Sequence, residues 1–113
     1  MSCIFCKIIS GEAPATILYH DEQVTAFCDT HPIASTHILI VPNRHINSLN
    51  ELEETDSALV GHMVLTARKL AAQEGVAAIG YRLILNTGAG GGQSVFHLHL
   101  HLIAGKQARF TLG

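Results

Sequence analysis

The chain has no tryptophan, two tyrosines and three prolines in 113 residues, and no apolar run longer than Ile38 to Val41. A run of that length is far too short for a membrane-spanning helix, and the N-terminus lacks the extended apolar region of a signal peptide. Charge is equally scarce. Seven Lys and Arg against nine Asp and Glu leave a formal net charge of -2, with the basic residues scattered. That balance argues against nucleic acid or an anionic membrane as the main partner, so neither is expected and a cytoplasmic location is. Three cysteines are too few, and odd in number, for a disulfide framework; they fit reduced thiols or a metal site. No repeat, low-complexity tract or linker divides the chain, so one domain over 1–113 is expected.

What is plentiful is apolar surface and histidine. Hydrophobic residues make up 48% of the chain and charged ones 14%, a large apolar load for a small domain, part of which is expected to lie in a subunit interface. Three of the eight histidines alternate with leucine in GQSVFHLHLHLIAG, Gly92 to Gly105. On a β-strand, positions two apart share a face. His97, His99 and His101 would then form an imidazole face, with Phe96, Leu98, Leu100 and Leu102 as the core face behind it.

The remaining pattern supplies a sheet for that strand. Ile4 to Ile9 reads as a short helix ending near Gly11. ATILY (15–19) and QVTAFCD (23–29) read as a hairpin turning at His20-Asp21-Glu22. HPIAST (31–36) is a loop, and HILIVP (37–42) is a strand that Pro42 ends. Leu59, Val60, Met63, Val64, Ala67, Leu70 and Ala71 fall at helical spacing between an N-cap at Thr55 or Asp56 and a stop at Gly75. YRLILN (81–86) is a strand, TGAGGG (87–92) a glycine loop, and VFHLHLHLI (95–103) the last strand. The expected fold is α+β: a five-stranded antiparallel sheet with one long helix and a short N-terminal helix.

Single histidines such as His20, His31 and His62 read as satisfied polar side chains. Three on one face ask for a role, because protonating one disfavours protonating the next. Metal ligation and nucleophilic or acid–base catalysis both fit. The preceding segment favours phosphate chemistry: around Asn86, the loop glycines, Gln93 and Ser94, backbone N–H groups can approach an anion unhindered. A neutral imidazole held at one nitrogen is a competent nucleophile towards phosphorus. Asp29 alone reads as a strand-end turn residue. Cys3-Ile4-Phe5-Cys6 lacks the βαβ context of a redox pair and reads as half a zinc site; Cys28 reads as a core residue.

His97-Leu98-His99-Leu100-His101-Leu102-Ile103 resembles the His-φ-His-φ-His-φ-φ signature of the histidine-triad (HIT) family, φ being hydrophobic, and Gly92 to Phe96 resembles its Hint branch. The similarity runs through 4–22, 36–46 and 61–72. It implies a homodimer joined through a continuous sheet, acting on purine nucleoside monophosphates and their phosphoramidates by way of a nucleotidyl-histidine. Residue by residue, it implies His99 as nucleophile, His101 against the α-phosphate, and His37 and His97 completing the histidine cluster. It places Asp29 on the ribose hydroxyls with Thr30 beside it, and Asn86, Gly92, Gln93 and Ser94 around the phosphate and leaving group. The wider superfamily implies His45 and His97 as the partners of Cys3 and Cys6 in a structural zinc site, with no metal required for the chemistry. Two other activities share the signature: dinucleoside polyphosphate hydrolysis, against which the Gln93-Ser94 context argues, and regulatory nucleotide binding with incidental hydrolysis. The tail KQARFTLG (106–113) has no tryptophan, where the tail of related proteins helps to choose the leaving group.

Overall fold

The computed structural model describes residues 3–106. The chain begins with α1 (Ile4–Ser10), capped by the Cys3 sulfur and stopped by Gly11 in the left-handed region (φ 85°). The strands follow as β1 (Ile17–His20), β2 (Val24–Cys28) and β3 (Thr36–Pro42), then α2 (Ser57–Gln73), β4 (Arg82–Ile84) and β5 (Leu100–Ala104). The five strands form one antiparallel sheet in the order β1-β2-β3-β5-β4. No helix among the described residues is long and apolar enough to cross a membrane.

Strand alternation splits the molecule into two layers. Val24, Ala26, Ile38, Ile40, Leu98, Leu100 and Leu102 pack with Met63, Ala67, Leu70 and Ala71 of α2. Their odd-numbered neighbours Phe27, Leu39 and Val41 pack with Cys3, Phe5 and Ile8 on the other face. The apolar stripe of α2 is narrower than its sequence suggests: Thr66 is buried on it, while Val64 and Leu65 are exposed. The β1–β2 turn is tied to α2 by Asp21. One of its carboxylate oxygens accepts from Tyr19 Oη and His62 Nε2, each at 2.6 Å, and the other from the backbone N–H groups of Gln23 and Val24.

The sequence places the last strand at 95–103, but the ladder begins only at Leu100. The register that pairs Ile40 with Leu100 would continue to Pro42 opposite Leu98. Pro42 has no N–H to give, and its carbonyl accepts instead from His97 Nε2 at 2.8 Å. The N–H of Leu98 goes to the Ile46 carbonyl at 2.7 Å. His97 and His99 therefore sit on an irregular approach to the sheet, held by contacts of their own. Phe96 leaves the expected core face and is half exposed. The expected strand 81–86 shortens to Arg82–Ile84, and the glycine loop after it contains a 3-10 turn at Ala89–Gly91.

Candidate active site

The face opposite α2 carries a cavity of about 760 Å³ whose lining includes Asp29, Thr30, His37, Asn86, Ser94, His99 and His101. Residues spread from 29 to 101 meet there because β3 and β5 are adjacent. Leu39 pairs with His101 and His37 with Ile103, so His37 and His101 are diagonal neighbours on one face. Asp29 follows β2 directly, and its N–H donates to the His37 carbonyl at 3.0 Å.

Hydrogen bonds assign the tautomers. His99 is buried, and its Nδ1–H donates to the carbonyl oxygen of His97 at 2.7 Å, which leaves the lone pair on Nε2. His37 Nδ1 accepts from the N–H of Ile33 at 3.1 Å. Its proton is therefore on Nε2, which donates to His101 Nδ1 at 2.9 Å and lies 3.3 Å from Asp29 Oδ2. His101, accepting at Nδ1, carries its own proton on Nε2. Burial, then the neighbouring His99 and His37, pushes His101 down to about 4. Burial likewise lowers His37, against the pull of Asp29. Both rings are thus neutral near pH 7 and pass hydrogen bonds in one direction. Asp29, His37 and His101 also lie close enough to share a metal ion, but a metal would need the Nε2 lone pair of His37. That would force a proton onto Nδ1 against the Ile33 N–H.

The wall beyond the histidines is apolar: Phe5, Ile8, Phe27, Leu39 and Pro14. The sequence reading missed these residues, although alternation points to two of them. Phe27 lies two before Asp29 and Leu39 two after His37, on the same face of their strands. Cys28 is half-buried on the cavity lining rather than in the core. Gly92 and Gln93 are not on the lining. Gly92 closes the loop at φ 88°, and buried Gln93 ties it together: its Oε1 accepts from the Gly88 N–H, and its Nε2 donates to the carbonyls of Asn47 and Val95.

His97 is fully buried beneath the cavity, in the second constellation. Its Nδ1 lies 3.4 Å from Cys3 Sγ and 3.6 Å from Cys6 Sγ, and His45 Nδ1 lies 3.4 Å from Cys6 Sγ. A tetrahedral zinc with bonds of about 2.3 Å to sulfur and about 2.0–2.1 Å to nitrogen sets ligand-to-ligand edges of about 3.3–3.8 Å, which brackets these distances. The Nε2–H groups of both histidines are already engaged, His97 with the Pro42 carbonyl and His45 with Asn47 Oδ1. Both Nδ1 lone pairs therefore face the thiols, as ligation requires. Burial, then Cys3, pushes the Cys6 thiol up; a bound cation would reverse that by favouring the thiolate. The four residues fit zinc.

A family model described as "Scavenger mRNA decapping enzyme C-term binding" matches residues 2–111. A HIT family hydrolase from Legionella pneumophila Philadelphia 1 superposes with a TM-score of 0.94 at 46% identity, over 99% of this chain and 100% of that one. The chain belongs to the histidine-triad family. Among its histidine-triad relatives, the purine nucleoside phosphoramidase of Escherichia coli (strain K12) is 50% identical over 103 residues, 91% of this chain and 87% of that protein. A zinc-bound histidine-triad protein from Mycobacterium smegmatis aligns at 35% identity with a TM-score of 0.82, covering 94% of this chain and 76% of that one.

Proposed function

We propose that this chain is a nucleotide-binding hydrolase that cleaves purine nucleoside 5′-phosphoramidates, of the adenosine phosphoramidate or AMP-lysine type, through a nucleotidyl-histidine. The observation that carries the reading is the hydrogen bond from His99 Nδ1 to the His97 carbonyl. It fixes the tautomer that keeps a nucleophilic lone pair on Nε2 of a cavity-lining imidazole. The name of the Escherichia coli relative supports the substrate class.

In this reading the purine lies against Phe5, Ile8, Phe27 and Leu39, Asp29 accepts from the ribose hydroxyls beside Thr30, and the phosphate faces Asn86, Ser94 and His101. Gly92 and Gln93 act on the phosphate loop through its shape. His99 Nε2 attacks the α-phosphorus, and the P–N bond breaks with its electron pair going to the departing amine. His101 Nε2 is the donor for that nitrogen, and the anionic phosphate opposes the downward shift of the empty site by favouring protonated imidazole. Water then attacks the nucleotidyl-His99 and releases the nucleoside monophosphate. His37 orients His101 through their Nε2–H···Nδ1 bond, and His97 serves His99 through its carbonyl.

Cys3, Cys6, His45 and His97 would hold a structural zinc, which would tie α1 to the segments that carry His45 and His97 and take no part in the reaction. The chain forms one domain and pairs into a homodimer, a reading supported by the exposed apolar side chains of Val64, Leu65 and Ile79. Thiols at Cys3, Cys6 and Cys28 that are not joined in disulfides support a cytoplasmic location. Turnover of adenosine phosphoramidate against that of a diadenosine polyphosphate tests the activity. The expected result is a clear preference for the phosphoramidate; equal or reversed preference would overturn it.

A further inference from the structure

The nucleophile does not stand on the sheet. His99 precedes the first paired residue of β5, so the ladder that fixes His101 does not fix it. Three contacts do. Its Nδ1–H is held by the His97 carbonyl, the intervening Leu98 N–H is held by the Ile46 carbonyl next to His45, and its ring packs edge-on against Phe5 at 5.1 Å. All three lead to the Cys3-Cys6-His45-His97 cluster. The His97 ring is clamped between the two sulfurs on one side and the Pro42 carbonyl on the other. Phe5 lies inside the Cys3–Cys6 loop and also packs edge-on against His97 at 5.8 Å.

We propose that the cysteine–histidine cluster is the positioning device of the nucleophile: a zinc ion seated there holds the His97 carbonyl and Phe5 where they keep His99 in its Nδ1–H tautomer. The inference rests on His99 being the nucleophile, as argued above. Cys3, Cys6, His45 and His97 are then positioning residues whose occupancy sets the tautomer of His99 and with it kcat; KM moves less, because Phe5 and Ile8 of the purine wall stand on α1 beside the cluster whereas Phe27, Leu39 and Asp29 stand on or next to β2 and β3. Loss of a hydrogen-bonded partner around a metal site typically costs roughly 10–100-fold in metal affinity or activity, which sets the scale expected here.

The test compares zinc-loaded wild type, the same protein after chelation, and His45→Ala, which leaves every cavity-lining residue in place. Metal content, circular dichroism, kcat, KM and the nitrogen-15 ring signals of His99 are measured on each. The expected result is a folded, metal-free protein whose kcat is roughly 10–100-fold lower, a loss larger than any rise in KM. Its His99 signals should report a mixture of tautomers, and added zinc should restore both readouts in wild type. Metal-free, folded protein with unchanged kcat and a pure Nδ1–H tautomer overturns the proposal, as does wild type that takes up no metal. If chelation unfolds the chain, cadmium-loaded protein carries the test, since its longer bonds displace His97 without emptying the site. A changed kcat together with a changed His99 tautomer mixture supports the proposal, and identical zinc and cadmium kinetics overturn it. The ring signals need no substrate, so a loaded enzyme inactive on phosphoramidates would refute the assigned activity while the tautomer still decides this proposal.

Discussion

Acidification should remove stability through His101 in particular. In the unfolded chain this imidazole titrates near its ordinary value of about 6.5; in the folded protein burial holds it down to about 4, and His99 and His37 add to the shift. Between those values the unfolded chain binds more protons than the folded one, so stability rises with pH across that window. The contribution is fully present above about pH 6.5 and is lost as the pH falls towards about 4. The whole interval would be worth about 3 kcal/mol at about 1.36 kcal/mol per pH unit. Because the ring is partly open to the cavity, about 2 kcal/mol is the better expectation. Urea unfolding at pH 7 and pH 4, on wild type and His101→Asn, isolates the effect. Wild type should lose about 2 kcal/mol more than the variant over that range, since the substituted amide has nothing to titrate. Equal losses would refute the lowering of His101 by burial and its neighbouring imidazoles. The same linkage predicts that a nucleoside monophosphate takes up protons on binding near pH 5, read by calorimetry in two buffers of different ionisation enthalpy.

Asp29→Ala should erase most of the preference for a ribonucleotide over its 2′-deoxy analogue, a preference expected at roughly 1.5–3 kcal/mol for one charge-assisted hydrogen bond. Kinetics on both sugars with both proteins checks it, and an unchanged deoxy penalty would return Asp29 to a turn role. Met63→Ala should cost about 2–5 kcal/mol in chemical denaturation, because Met63 is 1% exposed between α2 and the sheet. Gly105→Ala should destabilise as well: φ is 85° and an added Cβ would come within 2.9 Å of Ser35 Cβ. A melting temperature equal to wild type would contradict that close approach.

The division of the sheet into an α2 face and a histidine face was legible in the sequence because strand alternation sorts Leu98, Leu100 and Leu102 from His97, His99 and His101. The meeting of Cys3 and Cys6 with His45 and His97 followed from the family resemblance, and the distances agree with it. The end of the ladder was not legible. Whether Pro42 breaks the pairing at Leu98 depends on which residue of β3 faces which residue of β5, and register is a tertiary property. Gln93 misleads for a related reason: a polar residue beside a glycine loop reads as a ligand contact, whereas here its amide is consumed by Gly88, Asn47 and Val95. Phe5 has the pattern of ordinary core on a short helix. Only its packing against both His97 and His99 reveals its place at the site. The assignment of His101 as a donor required the Ile33 N–H on His37 Nδ1, a contact no local pattern announces.

The central claim is that His99 Nε2 becomes covalently nucleotidylated during turnover. Rapid mixing with adenosine phosphoramidate, an acid-free quench and peptide mass spectrometry measure it directly. The account predicts an adenylyl group on the peptide containing His99, formed and lost at rates consistent with turnover and absent from His99→Ala, which should still bind nucleotide. Turnover by His99→Ala, or an adenylyl group found only on another residue, would contradict it.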